Sequence, residues 1–249
     1  MSDSFESSAL DGGSGWTSAA WDGAFHSFGT PGLSYSDSNG EVLEASGGRL
    51  RSSPITQSTF RERTWDTTTA LASGAETWVG FLVEDSAWVE NILPFALSNR
   101  GVPTLRGLGI GLRFGSATIS AFGLGTSESY YGSVGELNDG ETHFVVGRFR
   151  FFDGQDDEIS LWVDPDLAGP LEADGVHVML NLNLPAASYN YFGVNKGSGG
   201  FDNSAVDEIR VGSDFSSVAM PVVPEPSSVI LIGLGLSVLA SRRRDFADS

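Results

Sequence analysis

The side chains that ordinarily carry chemistry are sparse in this chain of 249 residues. Cysteine is absent, which removes thiolate nucleophiles, thiolate metal sites and any disulfide framework. The three histidines, His26, His143 and His177, are too scattered for a metal cluster and have no evident partner in the sequence. His143 reads as a strand-edge residue rather than a base. Glycoside hydrolysis needs two carboxylates facing the scissile bond, and a strand supplies them by carrying glutamates on alternate residues. The pattern Glu-x-Asp-x-x-Glu does not occur. Glu84-Asp85 and Glu90 have the wrong spacing, and Asp156-Asp157-Glu158 falls at an expected turn, where a solvated acidic loop is the simpler reading. No Gly-x-Ser-x-Gly elbow is found. The sequence offers no catalytic residue, and the chain is read as non-enzymatic.

Two binding arrangements have more support. Asp3 and Glu6 fall on the expected first strand, and Asp207, followed by Glu208, on the expected last one. If those strands are neighbours, three or four hard oxygens converge, the donor type calcium requires. The competing reading is that Asp207 bonds backbone amides at a strand end. The second arrangement is a platform for stacking sugar rings. Trp162, Tyr189 and Tyr191 are its chosen members, from a wider set that includes Trp16, Trp21, Trp88, Tyr130 and Tyr131. Against it stands the usual role of large aromatics, which is to fill the core. The segments 189–193 and 197–200 are the best placed to be exposed.

These residues need strands to position them. The chain holds 32 glycines and shows no helical periodicity of useful length before Val229. Alternating apolar runs are plain instead, at Trp78–Val83, Leu108–Phe114 with Thr118–Phe122 as a hairpin, and His143–Phe152 turning at Asp153-Gly154 into Glu158–Val163. In the last of these, Ile159, Leu161 and Val163 share one face, and Glu158, Ser160 and Trp162 the other. Further strands are expected at Val176–Leu182, Tyr189–Val194 and Val206–Val211. This spacing predicts an all-β, two-sheet antiparallel sandwich or jelly roll over residues 1–217. A Pro-rich linker at 218–226 and a short C-terminal hydrophobic helix with a basic tail at 227–249 complete the expected organisation.

The formal charge is −18. Setting aside the three arginines and two aspartates that follow Ser227 leaves 11 basic and 30 acidic side chains. Such a surface repels nucleic acid and attracts divalent cations. The opening Met1-Ser2-Asp3-Ser4-Phe5-Glu6 has neither the basic nor the apolar region of a signal peptide. An exported chain needs one, so the translation start is expected upstream of Met1.

The C-terminus is the most specific segment. Pro221 to Pro226 reads PVVPEP, an uncharged apolar run follows from Ser227 to Ser241, and Arg242, Arg243 and Arg244 close it. A helix over that run would extend roughly 22 Å, against about 30 Å for the hydrocarbon core of a bilayer. Basic residues beside an apolar span stay on the cytoplasmic side, which puts the body across the membrane from them.

Pro224-Glu225-Pro226, the apolar run and Arg242–Arg244 resemble the PEP-CTERM sorting signal. The resemblance implies recognition by exosortase, an integral-membrane protease that cuts near the Pro-Glu-Pro and releases the protein to the cell surface or matrix. A signal that is removed need not be a full-length anchor. Asp3–Glu6, Gly15-Trp16, Thr142–Arg148, Asp156–Pro165 and Val206–Gly212 resemble segments of concanavalin A-like (laminin-G-like) jelly rolls, which implies two antiparallel sheets with first and last strands adjacent. The pairing of Phe5-Glu6 with Asp207-Glu208-Ile209 is similar to the structural calcium site of carbohydrate-binding jelly rolls. The expected function is an exported carbohydrate- or matrix-binding module without catalysis. The alternatives are a polysaccharide hydrolase of the same fold and a purely structural matrix protein.

Overall fold

The computed structural model describes residues 2–3, 27–29, 31–44, 48–51, 59–64, 73–84, 92–98, 107–113, 116–122, 129–134, 137–168, 178–182, 191–196 and 204–220. The strands in the first third are β1 (Ser2–Asp3), β2 (Ser27–Gly29), β3 (Ser34–Ser36), β4 (Val42–Glu44), β5 (Arg49–Arg51), β6 (Thr59–Thr64) and β7 (Glu76–Glu84). The middle supplies β8 (Ile92–Ser98), β9 (Gly107–Arg113), β10 (Ser116–Phe122), β11 (Ser129–Val134), β12 (Thr142–Arg150) and β13 (Asp157–Val163). Last come β14 (Val178–Leu182), β15 (Tyr191–Lys196), β16 (Ala205–Gly212) and a single helical turn, α1 (Ser216–Ala219).

All the pairings are antiparallel, in two main sheets. One runs β14-β13-β12-β7-β16-β5-β2, with β1 also on β16, and the other runs β11-β10-β9-β8-β15-β6. The expected contact of first and last strands is made by Ser2 opposite Arg210 and Asp3 opposite Ile209. The expected hairpins are β9–β10 and β12–β13, the latter turning through Gly154 at φ 68°. The sheets meet where Gly147 of β12 faces Ile110 of β9: a Cβ at residue 147 would collide with Ile110 Cδ1. Val79, Phe81, Val83, Val145, Phe149 and Leu161 are buried on the same row positions. This is the all-β, two-sheet antiparallel architecture the alternation predicts.

Less legible was the other face of the eight-stranded sheet. It is covered by the β3–β4 hairpin, the turn at 164–168 and α1, whose Leu33, Tyr35, Leu43, Leu167, Val218 and Ala219 pack on Trp78, Leu82, Phe144, Val146 and Trp162. Asp37 fastens this cover, since its carboxylate accepts the backbone N–H of Leu167, Asn39 and Glu41. Tyr35 adds a bond from its hydroxyl to the Pro165 carbonyl. Both faces of β7, β12 and β13 are therefore buried, and charge confined to one row does not mark a solvent face.

Two expectations change in consequence. Trp162, chosen as a ligand platform, is 1% exposed and stacks on Trp78 at 5.7 Å between ring centroids, so its ring lies in the core with no face open to a ligand. The body also runs past residue 217, because Val218 and Ala219 are buried on Gly80 and its neighbours. Strands β2 to β6, β8 and β11 were not expected. Pro94 disguises β8, and the structure tolerates that proline at a bulge, where pairing with β9 shifts between Ile92 and Phe95.

Candidate functional site

Among the described residues, polar chemistry concentrates on β16. Its pairing with β7 slips between Asp207 and Arg210, and Glu208 takes a left-handed φ of 48°. A bulge of this kind re-aims side chains that would otherwise alternate across the sheet. Asp207 is driven fully inside, where Oδ2 accepts the Leu33 N–H and Oδ1 the Glu208 N–H, each at 2.8 Å. Burial pushes its carboxyl up to about 8, against the opposing pull of those two amides and of Arg49. Glu208 Oε1 accepts from Arg210 at 2.7 Å, and Arg210 Nη1 reaches on to the Met220 carbonyl. Arg49 is paired with Glu84 at 2.9 Å. Two ion pairs thus surround a third acid that has no ion pair among the described residues.

A second cluster lies along β12. The Arg148 guanidinium sits over both tryptophans, 5.5 Å from the Trp78 ring and 5.3 Å from the Trp162 ring, and bonds Glu158 at 3.2 Å. Arg150 bridges Glu76 and Glu158 at the rim. Each of these glutamates is paired with arginine, an arrangement that ties neighbouring strands of the sheet together.

His143 is bound on both ring nitrogens, by Asp164 at 2.7 Å and Asp139 at 3.1 Å. Asp164 is locked in turn: it stands at φ 51°, accepts the Phe144 N–H and donates its own N–H to the Phe144 carbonyl. Burial opposes charge on the imidazole, but the two carboxylates outweigh it and raise its pKa above the ordinary value. Asp139 is held below the usual carboxylate range by the Glu141 N–H and by His143. With both nitrogens facing acceptors, the imidazolium is the form that fits, and no lone pair remains to deprotonate a nucleophile. The sequence shows no partner for this histidine because its partners come from turns on opposite sides of β12.

Of the proposed calcium ligands, Asp207 is placed as described, and the backbone of Asp3 lies beside it through pairing with Ile209. Glu6 is outside the described residues. No group of three His, Asp or Glu side chains able to hold a metal is found among the described residues. Tyr191 pairs with Ser98 on one side and Thr64 on the other, in the six-stranded sheet. Tyr189 and the sorting residues Pro224, Glu225, Pro226, Arg242, Arg243 and Arg244 lie outside the described residues. No helix among the described residues is long and apolar enough to cross a membrane. Sequence reading missed Arg148. The signal was present in HFVVGRFRFF, whose alternation places Arg148 on the row of Phe144 and Val146.

Residues 222–244 match the model of the PEP-CTERM protein-sorting motif. No curated protein matches the chain in sequence. Among solved structures, the chain is similar to the globular domain of T. cruzi calreticulin, at 12% identity over 88% of this chain and 89% of that one, with a TM-score of 0.49. It is similar to an endo-β-1,4-glucuronan lyase from the fungus Trichoderma reesei at 13% identity, over 83% of this chain and 100% of that one, with a TM-score of 0.47. An endo-1,3-β-glucanase from Streptomyces sioyaensis is similar at 12% identity, over 84% of this chain and 95% of that one, with a TM-score of 0.45.

Proposed function

We propose that this chain is an exported protein with a concanavalin A-like body, sorted by its C-terminal signal. An exosortase-type membrane protease cuts it and leaves the body at the cell surface or in the extracellular matrix. There the body binds polysaccharide or matrix without catalysis. One observation carries the reading, the order of Pro224-Glu225-Pro226, apolar run and Arg242–Arg244 within the matched residues 222–244. The arginines hold the cytoplasmic end while the body stands outside, and an uncharged run of only fifteen residues suits an anchor meant to be removed.

The test is the intact mass of the protein recovered from exporting cells. A mass ending near Pro226 in the outer fraction supports the reading, and a soluble cytosolic chain running uncut to Ser249 refutes it. On the body, Tyr191 is the member of the expected platform that falls within the described strands, where the register sets its backbone opposite Thr64 and Ser98. Glycan-array binding lost in Tyr191→Ala, with no hydrolysis, supports a binding module. Release of reducing sugar that a carboxylate substitution abolishes makes the protein a hydrolase, and the absence of any glycan binding makes it a structural matrix protein.

A structural calcium ion is a second reading, favoured by the burial of Asp207. Among the described residues each oxygen of that carboxylate accepts one amide, which leaves lone pairs for a cation, and the neighbouring chain is that of Asp3. Bound calcium would supply the positive charge that lets Asp207 ionise in place. A melting temperature that rises with calcium and falls with chelator supports it, and an unchanged one refutes it.

A further inference from the structure

The fold ends in a clamp. After β16 the chain turns back through Asp214, whose Oδ1 accepts the Ser216 hydroxyl and the Ser217 N–H, at 2.7 and 2.8 Å. α1 then lies on β7. Val218 packs closely against Gly80: a Cβ there would stand 3.1 Å from Val218 Cβ and 3.0 Å from the Phe144 ring, so the neighbours would have to give by a few tenths of an ångström. Gly212 is packed more tightly still, since a Cβ would collide with Ser217 Oγ. Phe215 packs on Trp78 at 5.9 Å between ring centroids. Finally the Arg210 guanidinium, itself held by Glu208, takes the carbonyl of Met220. Everything beyond leaves from this fixed point.

The stand-off that remains is short. Pro224 is four residues after Met220, a reach of about 14 Å at full extension, and Ser227 is seven after it, about 25 Å. Prolines at 221, 224 and 226 add stiffness. Proteases take a substrate as an extended strand in a cleft, so the cut segment must stand clear of the folded surface. Slack for this has to come from residues 211–220, and the clamp withholds it.

We propose that α1 and the Arg210–Met220 bond are the fixed end of the sorting tether. They hold the body so near the Pro-Glu-Pro that a protease must either work at that stand-off or wait for the clamp to open. Cutting near the Pro-Glu-Pro is thereby slowed until the clamp opens, with Arg210 acting as a positioning residue. The proposal rests on the sorting reading above.

The test uses the full chain in detergent micelles, exposed to proteinase K, with cutting between 213 and 226 followed by mass. A twelve-residue Gly/Ser insertion after Met220 leaves the clamp intact and supplies slack. It is expected to speed cutting at least tenfold without moving the melting temperature. Arg210→Ala is expected to speed it severalfold, with Arg210→Lys partly restoring protection, because opening of the segment sets the rate. A wild-type linker cut as fast as the insertion variant overturns the proposal, and this comparison stands even if Arg210→Ala fails to fold. Intact mass from exporting cells is a separate arm: an uncut wild-type chain there sinks the sorting reading and leaves the in vitro result to decide the clamp.

Discussion

Replacing Asp207 by asparagine separates the cost of burying an acid from the value of the bonds it makes. In the folded protein this carboxyl titrates at about 8, against 3.8 for an ordinary aspartate. The folded state therefore keeps its proton while the unfolded chain ionises. Stability is highest below the unfolded pKa, falls as pH rises from about 4 to 8, and levels off beyond. At about 1.4 kcal/mol per pH unit, the loss reaches roughly 4 kcal/mol at pH 7. Asparagine removes that loss, but it has one oxygen for two N–H donors, from Leu33 and Glu208. Leaving one amide unsatisfied costs about 1–3 kcal/mol. Asp207→Asn is thus expected to be less stable than wild type by about 1–3 kcal/mol at pH 4 and more stable by a similar amount at pH 7, with curves crossing near pH 5. Urea unfolding of both proteins from pH 4 to 8, in chelator, measures the difference, in which all other titrations cancel. Parallel curves with wild type on top throughout would refute the reasoning. Repeating the series with calcium adds the converse test, because a bound cation favours the ionised acid and reverses the order at pH 7.

Three further outcomes follow from other contacts. His143, with its pKa raised by Asp164 and Asp139, contributes stability that is complete below about 6.5 and is lost as pH rises through the folded value. His143→Gln should remove that pH-dependent leg, in thermal melts taken from pH 5 to 9. Gly147→Ala drives a methyl into Ile110 and should cost about 1–3 kcal/mol, with Ile110→Ala in the same chain recovering part of it, as a double-mutant cycle of unfolding free energies would reveal. Trp162→Ala should cost about 3–5 kcal/mol in stability. Any glycan affinity should remain in the folded fraction, and a selective loss of affinity would overturn its assignment to the core.

The sorting signal was legible without a structure, because a membrane address is a contiguous string whose parts act through composition and order. About half of the strands were legible for a similar reason. Alternation in Trp78–Val83, His143–Phe152 and Glu158–Val163 is a local consequence of the pleat. It assigns residues to two faces but is silent on what covers each face. That was decided by contacts far apart in sequence: Leu33 with Asp207, separated by 174 residues, and Asp37 with Leu167, separated by 130. Those contacts turned Trp162 from a surface aromatic into a core one and made Asp207 a buried acid. The packing of α1 on Gly80 likewise carried the body past residue 217 to Met220. Periodicity fixes a strand's two faces because it arises within the strand, whereas burial depends on which distant segments are brought against them, and only the assembled tertiary structure supplies that.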